Sequence, residues 1–358
     1  MATDRSTTTR KGPEHARLEG LDLARYFAFV GMVIVNFKIA MGAGGDDGIL
    51  NTLTSALEGR AAATFVVLAG IGLGLAGGRG LDQTIAVTLK RALFLLVIGL
   101  LNMTIFDADI LHYYAIYFLF GVLLLSLGTR ALLGIIGGLN IAFVIMILAL
   151  DYDAGWNWDT YTYSDFWTPT GFVRNLFFNG WHPVIPWLGF LVFGIVLSRT
   201  SLANRATQMK LIISGAIALG LAEGTSALLA NQLAPVSLEL GALVTTDPVP
   251  PMPLYTLAGL GAASLVVGVC LLLSNRLRAI GVVRLLVPAG RQTLTLYLAH
   301  VLIGMGMLEA LGLLGGQTVG QAVGAAALFC IFATLYSLIW TRWFKRGPIE
   351  AFMRKVVG

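Results

Sequence analysis

The stretch DADILHYYAIYFLFG, residues Asp107–Gly121, carries two acids, a histidine and three tyrosines into a long apolar run. The run predicts a membrane span over residues 109–128. An ionisable side chain at mid-bilayer costs about 2.5 to 3.5 kcal/mol on insertion scales, so such groups usually face a cavity or a partner. Asp109 and His112 are therefore candidate functional residues. The alternative is that this pair only caps a helix at the membrane interface.

The rest of the chain has the composition of an integral membrane protein. Of its 358 residues, 57% are hydrophobic and only 12% are charged, whereas soluble domains average about 25% charged residues. A transmembrane helix needs about 20 mostly apolar residues. The sequence thus predicts an all-α, polytopic membrane protein of about ten transmembrane helices. The predicted spans are 21–41, 60–78, 84–103, 109–128, 130–150, 182–198, 207–230, 254–274, 291–312 and 319–341.

The distribution of charge predicts the topology. Lys and Arg gather before the first span and after the second, fourth, sixth, eighth and tenth spans, while the intervening loops carry mainly Asp and Glu. By the positive-inside rule, the basic loops and both termini are cytoplasmic. The net charge of +5 is scattered over these loops, so it does not form the basic patch of a nucleic-acid-binding protein.

Three regions follow from this pattern. Residues 1–17 are expected to be a disordered basic cytoplasmic tail, and residues 18–342 a single transmembrane domain with an outer loop over 151–181. Residues 343–358 are expected to be an amphipathic cytoplasmic tail on the inner leaflet. The outer loop is rich in Trp and Tyr, which serve either as interface anchors or as a sugar-binding surface. Cys270 and Cys330 lie in apolar runs and are interpreted as packing residues.

The glycine-rich run AGIGLGLAGG, residues 69–78, has a GxGxG pattern. No strand precedes it, so a dinucleotide site is not expected. Glycines at this spacing let membrane helices approach one another closely. The run therefore predicts a tight helix crossing.

Two spans repeat the same polar pattern. Arg25 and Asn36 are 11 residues apart in the first span, and Arg91 and Asn102 are 11 apart in the third. Each span thus presents a cation near the cytoplasm and an amide in its outer half, which suits an anionic ligand that enters from inside. The alternative is an interfacial pair between Asp22 and Arg25 with an ordinary interhelical hydrogen bond from Asn36.

Two further histidines are candidates. His182 opens the sixth span at the predicted outer level of His112, and His300 shares one face of the ninth span with Tyr297. Arg291 lies at the cytoplasmic entrance of that span. The alternative for His300 is a hydrogen-bonded core residue. The histidines are scattered over different spans and no HExxH motif occurs, so no metal site is expected.

Four segments resemble the YeiB-like family, part of the superfamily that includes heparan-α-glucosaminide N-acetyltransferases and acyltransferase-3 proteins. They are GLDLARYFAFVGMVIVNF, FDADILHYYAIYFLFG, GRQTLTLYLAHVLIG and TRWFKRGPIEAFMR. The resemblance implies a polytopic acyltransferase that takes an acyl group from cytoplasmic acyl-CoA. The acceptor would be a glycan or glycolipid at the outer side, and the location the plasma (inner) membrane of a bacterium.

The resemblance also bears on single residues. The YeiB-like pattern DIL-x-x-Y maps onto Asp109 and Tyr114, whereas His112 is a feature of this chain. In the heparan branch an asparagine like Asn36 is followed eleven residues later by a catalytic histidine, and here Asp47 takes that place. The histidine at position 300 is a feature that this chain shares with the heparan branch.

The leading hypothesis is transfer of an acyl group from acyl-CoA to a hydroxyl or amine, and acetyl is the expected acyl group. His112, oriented by Asp109, is the first candidate for the general base, followed by His300 and then His182, because histidine is the commonest base near neutral pH. Asn36 is the candidate donor to the developing oxyanion.

The donor and the partners are also predicted. The candidate residues for the CoA phosphates lie at inner helix ends: Arg25, Arg91 and Arg291, with Asp22 beside them. The expected partners are membrane lipids, acyl-CoA and the acceptor. The sequence does not decide between a monomer and a homodimer. The rival hypothesis is a secondary transporter or a lipid or sugar flippase, in which the intramembrane Asp and His groups relay protons or bind the substrate.

Overall fold

The structure, a computed structural model, describes residues 18–44, 48–77 and 80–358. The predicted N-terminal tail, 1–17, and Asp47 lie outside the described residues. The helices are α1 Glu19–Ala40, α2 Ile49–Ser55, α3 Arg60–Gly77, α4 Leu81–Met103, α5 Leu111–Leu123, α6 Thr129–Ala149, α7 Pro169–Arg174, α8 Val184–Ser198, α9 Arg205–Leu233, α10 Leu238–Ala242, α11 Pro253–Ala279, α12 Val282–Gly290, α13 Thr293–Ala299, α14 Gly306–Ala310, α15 Val319–Trp340 and α16 Pro348–Val357.

Two π-helical segments and one short hairpin complete the described elements. The π-helical segments are Asn175–Asn179, which continues α7, and His300–Met305, which joins α13 to α14. Strands β1 (Trp156–Asn157) and β2 (Thr162–Tyr163) pair antiparallel in the 151–181 loop, with Trp156 opposite Tyr163. The predicted all-α class is confirmed.

The described residues contain eight or nine candidate membrane spans. In the described ranges, eight helices are long and apolar enough to cross a membrane, and the pair Pro169–Asn179 and Val184–Ser198, bent by 51°, makes a ninth if it is one broken span. The predicted span 109–128 corresponds to α5, which has only 13 residues. The count of ten and the cytoplasmic position of both termini stay predictions.

The glycine-rich run forms the predicted tight crossing. A Cβ built on Gly70 of α3 would collide with the carbonyl oxygen of Leu191 and would lie 3.0 Å from the Cα of Gly194 on α8. A Cβ on Gly194 would in turn meet the carbonyl oxygen of Val67. The two backbones can therefore touch only because neither position carries a side chain.

Helix α1 lies at the centre of the bundle, packed against α3, α11, α12 and α15. Its residues Leu23, Phe29 and Val33 are fully buried. Helices α4 and α5 pack against each other, and α16, in the predicted C-terminal tail, packs against α4 and α13. This arrangement brings polar residues of α1, α4, α5 and α13 together inside the protein.

Candidate functional site

A cavity of about 570 Å³ opens between α1, the start of α3, α13 and the loops before α5, α8 and α11. We call it the outer cavity, because the predicted topology, which the structure does not test, has this end of the bundle on the outer side. Its volume lies in the range of small-molecule sites. Three of its lining residues carry the polar chemistry discussed below: Asn36, His182 and Tyr297.

Asn36 is held by a buried histidine. Its side-chain Nδ2 lies 2.9 Å from Nε2 of His300, and Nδ1 of His300 contacts the carbonyl oxygen of Tyr297. A carbonyl can only accept, so Nδ1 of His300 carries the proton and Nε2 accepts from Asn36. The second N–H and the carbonyl oxygen of Asn36 are thus left for the cavity.

Asp109 is the centre of a fully buried hydrogen-bond network. Its Oδ1 accepts from Asn102 Nδ2 at 2.8 Å and from the Tyr297 hydroxyl at 3.2 Å. Its Oδ2 accepts from the backbone N–H groups of Leu111 and His112 at 2.8 and 3.2 Å, and lies 3.1 Å from Nδ1 of His112. Five donors therefore satisfy one carboxylate, which joins α4, α5 and α13.

Tyr297 connects this network to the cavity. Its hydroxyl donates to Asp109 and accepts from the backbone N–H of Ile110 at 3.1 Å. Both partners lie in the short segment before α5. The hydroxyl position is thus fixed from both sides, at the wall of the outer cavity.

The structure brings the predicted pair Asp109 and His112 into contact, but away from the cavity. His112 is fully buried and is absent from the described cavity lining. Its ring packs at a tilt of 39° against that of Tyr113, with the centroids 3.9 Å apart. Within the described ranges its Nε2 has no hydrogen-bond partner. Asp109 accepts hydrogen bonds from the first backbone N–H groups of α5 and so caps this helix. The alternative interpretation had such a cap at the membrane interface, whereas Asp109 is fully buried.

His182 is the histidine that lines the outer cavity. Its ring packs edge-on against Trp187 and Tyr113, at 4.6 and 5.8 Å between centroids. The Tyr117 hydroxyl donates to its backbone carbonyl at 2.5 Å. Its Nδ1 is buried and has no partner among the residues that the structure describes.

Tyr114 stands apart from these groups. Its ring packs against Tyr117 and Phe118 at 5.7 and 6.1 Å between centroids. Its hydroxyl is buried and unpaired in the described part of the chain. Tyr114 is not among the described residues that line the outer cavity.

The cavity wall also contains an ion pair that the sequence interpretation missed. Lys38 of α1 is buried, and its Nζ donates to Glu58 Oε1 at 2.9 Å and to Ser55 Oγ at 3.0 Å. Lys38 and Glu58 both line the cavity. The available signal was a lysine inside a predicted span, since such a charge needs a partner.

The outer loop contributes aromatic side chains to the same cavity. Tyr161 and Trp181 both line it, with ring centroids 6.0 Å apart. Trp156 packs edge-on against Trp181 at 5.1 Å and stacks on Trp158 at 4.5 Å. The loop 151–181 therefore contributes to the lining of the outer cavity.

The predicted cations lie around Asp22 and around a second cavity. Asp22, buried in α1, lies 2.5 Å from NH1 of Arg25 and 3.1 Å from Nε of Arg291. A second cavity of about 400 Å³ is here called the inner pocket. Its lining residues are Val87, Arg91, Arg291, Lys345, Arg346, Glu350, Met353, Arg354, Val357 and Gly358. Arg25 is not among the described lining residues. Arg291 therefore lies both at the inner pocket with Arg91 and beside Asp22, whereas Arg25 lies beside Asp22.

In the part of the chain that the structure describes, no group of three or more His, Cys, Asp or Glu side chains is arranged to hold a metal ion. The expectation of a site without metal stays a prediction. The polar groups around the outer cavity include the imidazole of His182 and the amide of Asn36. An imidazole can accept a proton, and an amide can donate a hydrogen bond to a developing negative charge.

Comparison with known families identifies the superfamily. The family model described as heparan-alpha-glucosaminide N-acetyltransferase, catalytic, matches residues 17–229, more than half of the chain. A model described as protein of unknown function (DUF418), the YeiB-like family, matches residues 196–358. Neither the curated proteins nor the solved structures give a match to this chain. The predicted resemblance is confirmed, and the chain belongs to the heparan-alpha-glucosaminide N-acetyltransferase catalytic family.

Proposed function

We propose that the protein transfers an acyl group, acetyl in the first instance, from acyl-CoA to a hydroxyl or amine of an acceptor in the outer cavity. The family supports a transmembrane acetyltransferase-like protein. The observation that carries the proposal is the outer cavity itself, where His182, Asn36 and Tyr297 converge. Two of these three side chains are held in place by buried partners.

The reaction is an attack of the acceptor oxygen or nitrogen on the thioester carbonyl carbon. The new C–O or C–N bond forms while the acceptor proton passes to a base, and negative charge develops on the thioester oxygen. As the carbonyl re-forms, the C–S bond breaks and the protonated base gives its proton to the sulfur, so that CoA leaves as the thiol. A general base has to lie within hydrogen-bond reach of the attacking group. We assign this role to His182, because it lines the cavity and His112 does not.

Asn36 is the proposed oxyanion donor. The negative charge that develops on the thioester oxygen is stabilised most by donors whose positions are fixed before the reaction. His300 fixes Asn36 through the 2.9 Å hydrogen bond, and is therefore a positioning residue. Asp109 has the same role toward Tyr297.

The acceptor is proposed to be a glycan or glycolipid. Tyr161 and Trp181 present aromatic faces at the cavity, and Asp247 and the Lys38–Glu58 pair supply polar groups beside them. An apolar ring face flanked by carboxylates suits a sugar ring, which has apolar C–H faces and a polar rim. The donor is proposed to bind from the inner side.

The experiment is an acyl-transfer assay in proteoliposomes with acetyl-CoA labelled in the acetyl group. Covalent label on an acceptor, together with release of CoA thiol, supports the proposal. The bend of 51° in the Pro169–Ser198 region also suits a transporter, where helices are often broken near the substrate. Movement of an unmodified substrate across the bilayer without covalent labelling would favour transport instead.

A further inference from the structure

The C-terminal segment, residues 341–358, is fastened to the beginning of α13. Glu350 Oε1 accepts from the backbone N–H groups of Leu294 and Thr295 at 2.8 and 3.1 Å, and Oε2 accepts from the Thr295 hydroxyl at 2.5 Å. The first N–H groups of a helix have no partners inside the helix. Glu350 therefore caps α13 from the far end of the chain.

Further contacts set the path of the segment. The backbone N–H of Ile349 donates to the Thr295 hydroxyl at 3.1 Å, and the Trp340 indole donates to the Arg346 carbonyl at 2.7 Å. A Cβ on Gly347 would lie 2.7 Å from the Thr295 hydroxyl oxygen, so this close approach requires glycine. The position of the segment is thus determined by hydrogen bonds and packing, and not by its basic residues.

This position collects positive charge around the inner pocket. Three basic residues of the segment, Lys345, Arg346 and Arg354, line it together with Arg91 and Arg291. Among the described lining residues, the carboxylate side chain is that of Glu350, which is already engaged with α13, and Gly358 adds the terminal carboxylate of the chain. Among the described residues, none of Arg91, Lys345, Arg346 and Arg354 forms an ion pair with a carboxylate. Like charges around one cavity repel one another, which favours an anionic ligand.

Arg91 strengthens this argument. It lies ten residues into α4, about 15 Å along the helix, so its charge enters a predicted membrane span. Its Nε is buried and lacks a hydrogen-bond partner in the described part of the protein. A charge at such a position is costly without a counter-ion or a water-filled cavity.

We propose that the C-terminal segment completes the predicted donor site, so that Lys345, Arg346 and Arg354 join Arg91 and Arg291 in binding the phosphate groups of acyl-CoA. Guanidinium groups match phosphate oxygens as bidentate donors, and lysine adds a mobile point charge. The inference rests on the proposed acyl transfer. Helix α13 connects the two sites, because Arg291 precedes it at the pocket and Tyr297 lies at the outer cavity.

The test measures CoA binding by the full-length protein in phosphatidylcholine nanodiscs, with Lys345→Ala, Arg354→Ala and the double variant. Removing a charge-assisted contact to phosphate costs roughly tenfold in affinity, so the double variant should bind CoA well over tenfold more weakly. The matched controls are Arg342→Ala and Lys355→Ala, which remove neighbouring exposed cations outside the pocket lining. The controls should bind CoA like the wild type.

The outcomes separate this inference from the proposed function. If the wild type binds CoA and the pocket variants bind it equally well, the role of the segment is overturned while acyl transfer stands. If the wild type neither binds CoA nor transfers acetyl, the proposed function fails. Anionic lipid headgroups share the phosphate chemistry, so a parallel series uses phosphatidylglycerol nanodiscs and counts retained lipid by native mass spectrometry. Loss of bound lipid with unchanged CoA affinity would overturn the donor assignment.

Discussion

Asn36 and His300, which are 264 positions apart in the chain, are joined by a hydrogen bond of 2.9 Å at the wall of the outer cavity. Asn36 is a lining residue and His300 is fully buried behind it. The histidine begins a π-helical segment, His300–Met305, and such segments occur frequently at functional sites. The pair therefore holds an amide at the cavity wall, and this amide is the oxyanion donor of the proposed reaction.

Asn36→Ala is expected to lower kcat by about 10² to 10³ with little change in KM, because an oxyanion donor acts mainly in the transition state. His300→Ala should lower kcat for the same reason, since it releases Asn36. The two effects should be far from additive in the double variant. His300→Gln, which keeps an acceptor, should recover part of the rate. Additive losses in steady-state kinetics would contradict the coupling.

His182→Ala is expected to lower kcat by about 10² to 10⁴, the usual contribution of a general base. His112→Ala should lower the rate much less, and should lower the melting temperature, because it removes one of the five donors to Asp109. Loss of a buried partner costs about 1 to 3 kcal/mol. Acyl transfer and thermal melting of both purified variants check this. An inactive His112→Ala beside an active His182→Ala would return the role of base to His112.

Arg91→Ala is expected to abolish the thermal stabilisation by CoA, whereas Arg25→Ala should weaken it less. Arg91 lines the inner pocket, and Arg25 is paired with Asp22. Ligand stabilisation falls directly with affinity, so melting curves at a series of CoA concentrations are the measurement. Equal behaviour of the two variants would show that pocket lining does not decide donor binding.

Glu350→Ala is a test because two possible roles of Glu350 predict opposite changes in CoA affinity. If the pocket acts only through its net charge, removal of its carboxylate should strengthen the binding of CoA. If Glu350 positions the C-terminal segment through Leu294 and Thr295, the variant should bind CoA more weakly. We expect weaker binding, measured beside Lys355→Ala as the control. Tighter binding would show that the fastening is not needed.

Gly194→Ala is expected to destabilise the protein strongly, because the new Cβ would collide with the backbone of α3 at Val67. Overpacking in a close-packed core costs about 1 to 3 kcal/mol. The matched control is Gly137→Ala in α6, where a Cβ would have nothing within 4 Å. Thermal melting in detergent compares the two. Equal melting temperatures would mean that α3 and α8 do not cross so closely.

The sequence determined the fold class and the positions of most helices. Apolar runs of about 20 residues have to span a bilayer as helices, because backbone groups cannot stay unpaired in lipid. The spacing of Gly70, Gly72 and Gly74 predicted a close helix contact for a similarly local reason. The membrane cost of charge singled out Asp109, His112 and His300 as polar groups in need of partners.

The tertiary structure alone decided which of these groups meet. Asp109 is satisfied from α4, α5 and α13, His182 reaches the outer cavity, and His112 does not. Glu350 caps α13 from 55 positions away. Helical periodicity specifies which face of a helix carries a side chain, but the helix opposite that face is set by packing between segments distant in the chain. Candidate residues can therefore be recognised from the local sequence, whereas the set of residues that meet in one site depends on tertiary packing.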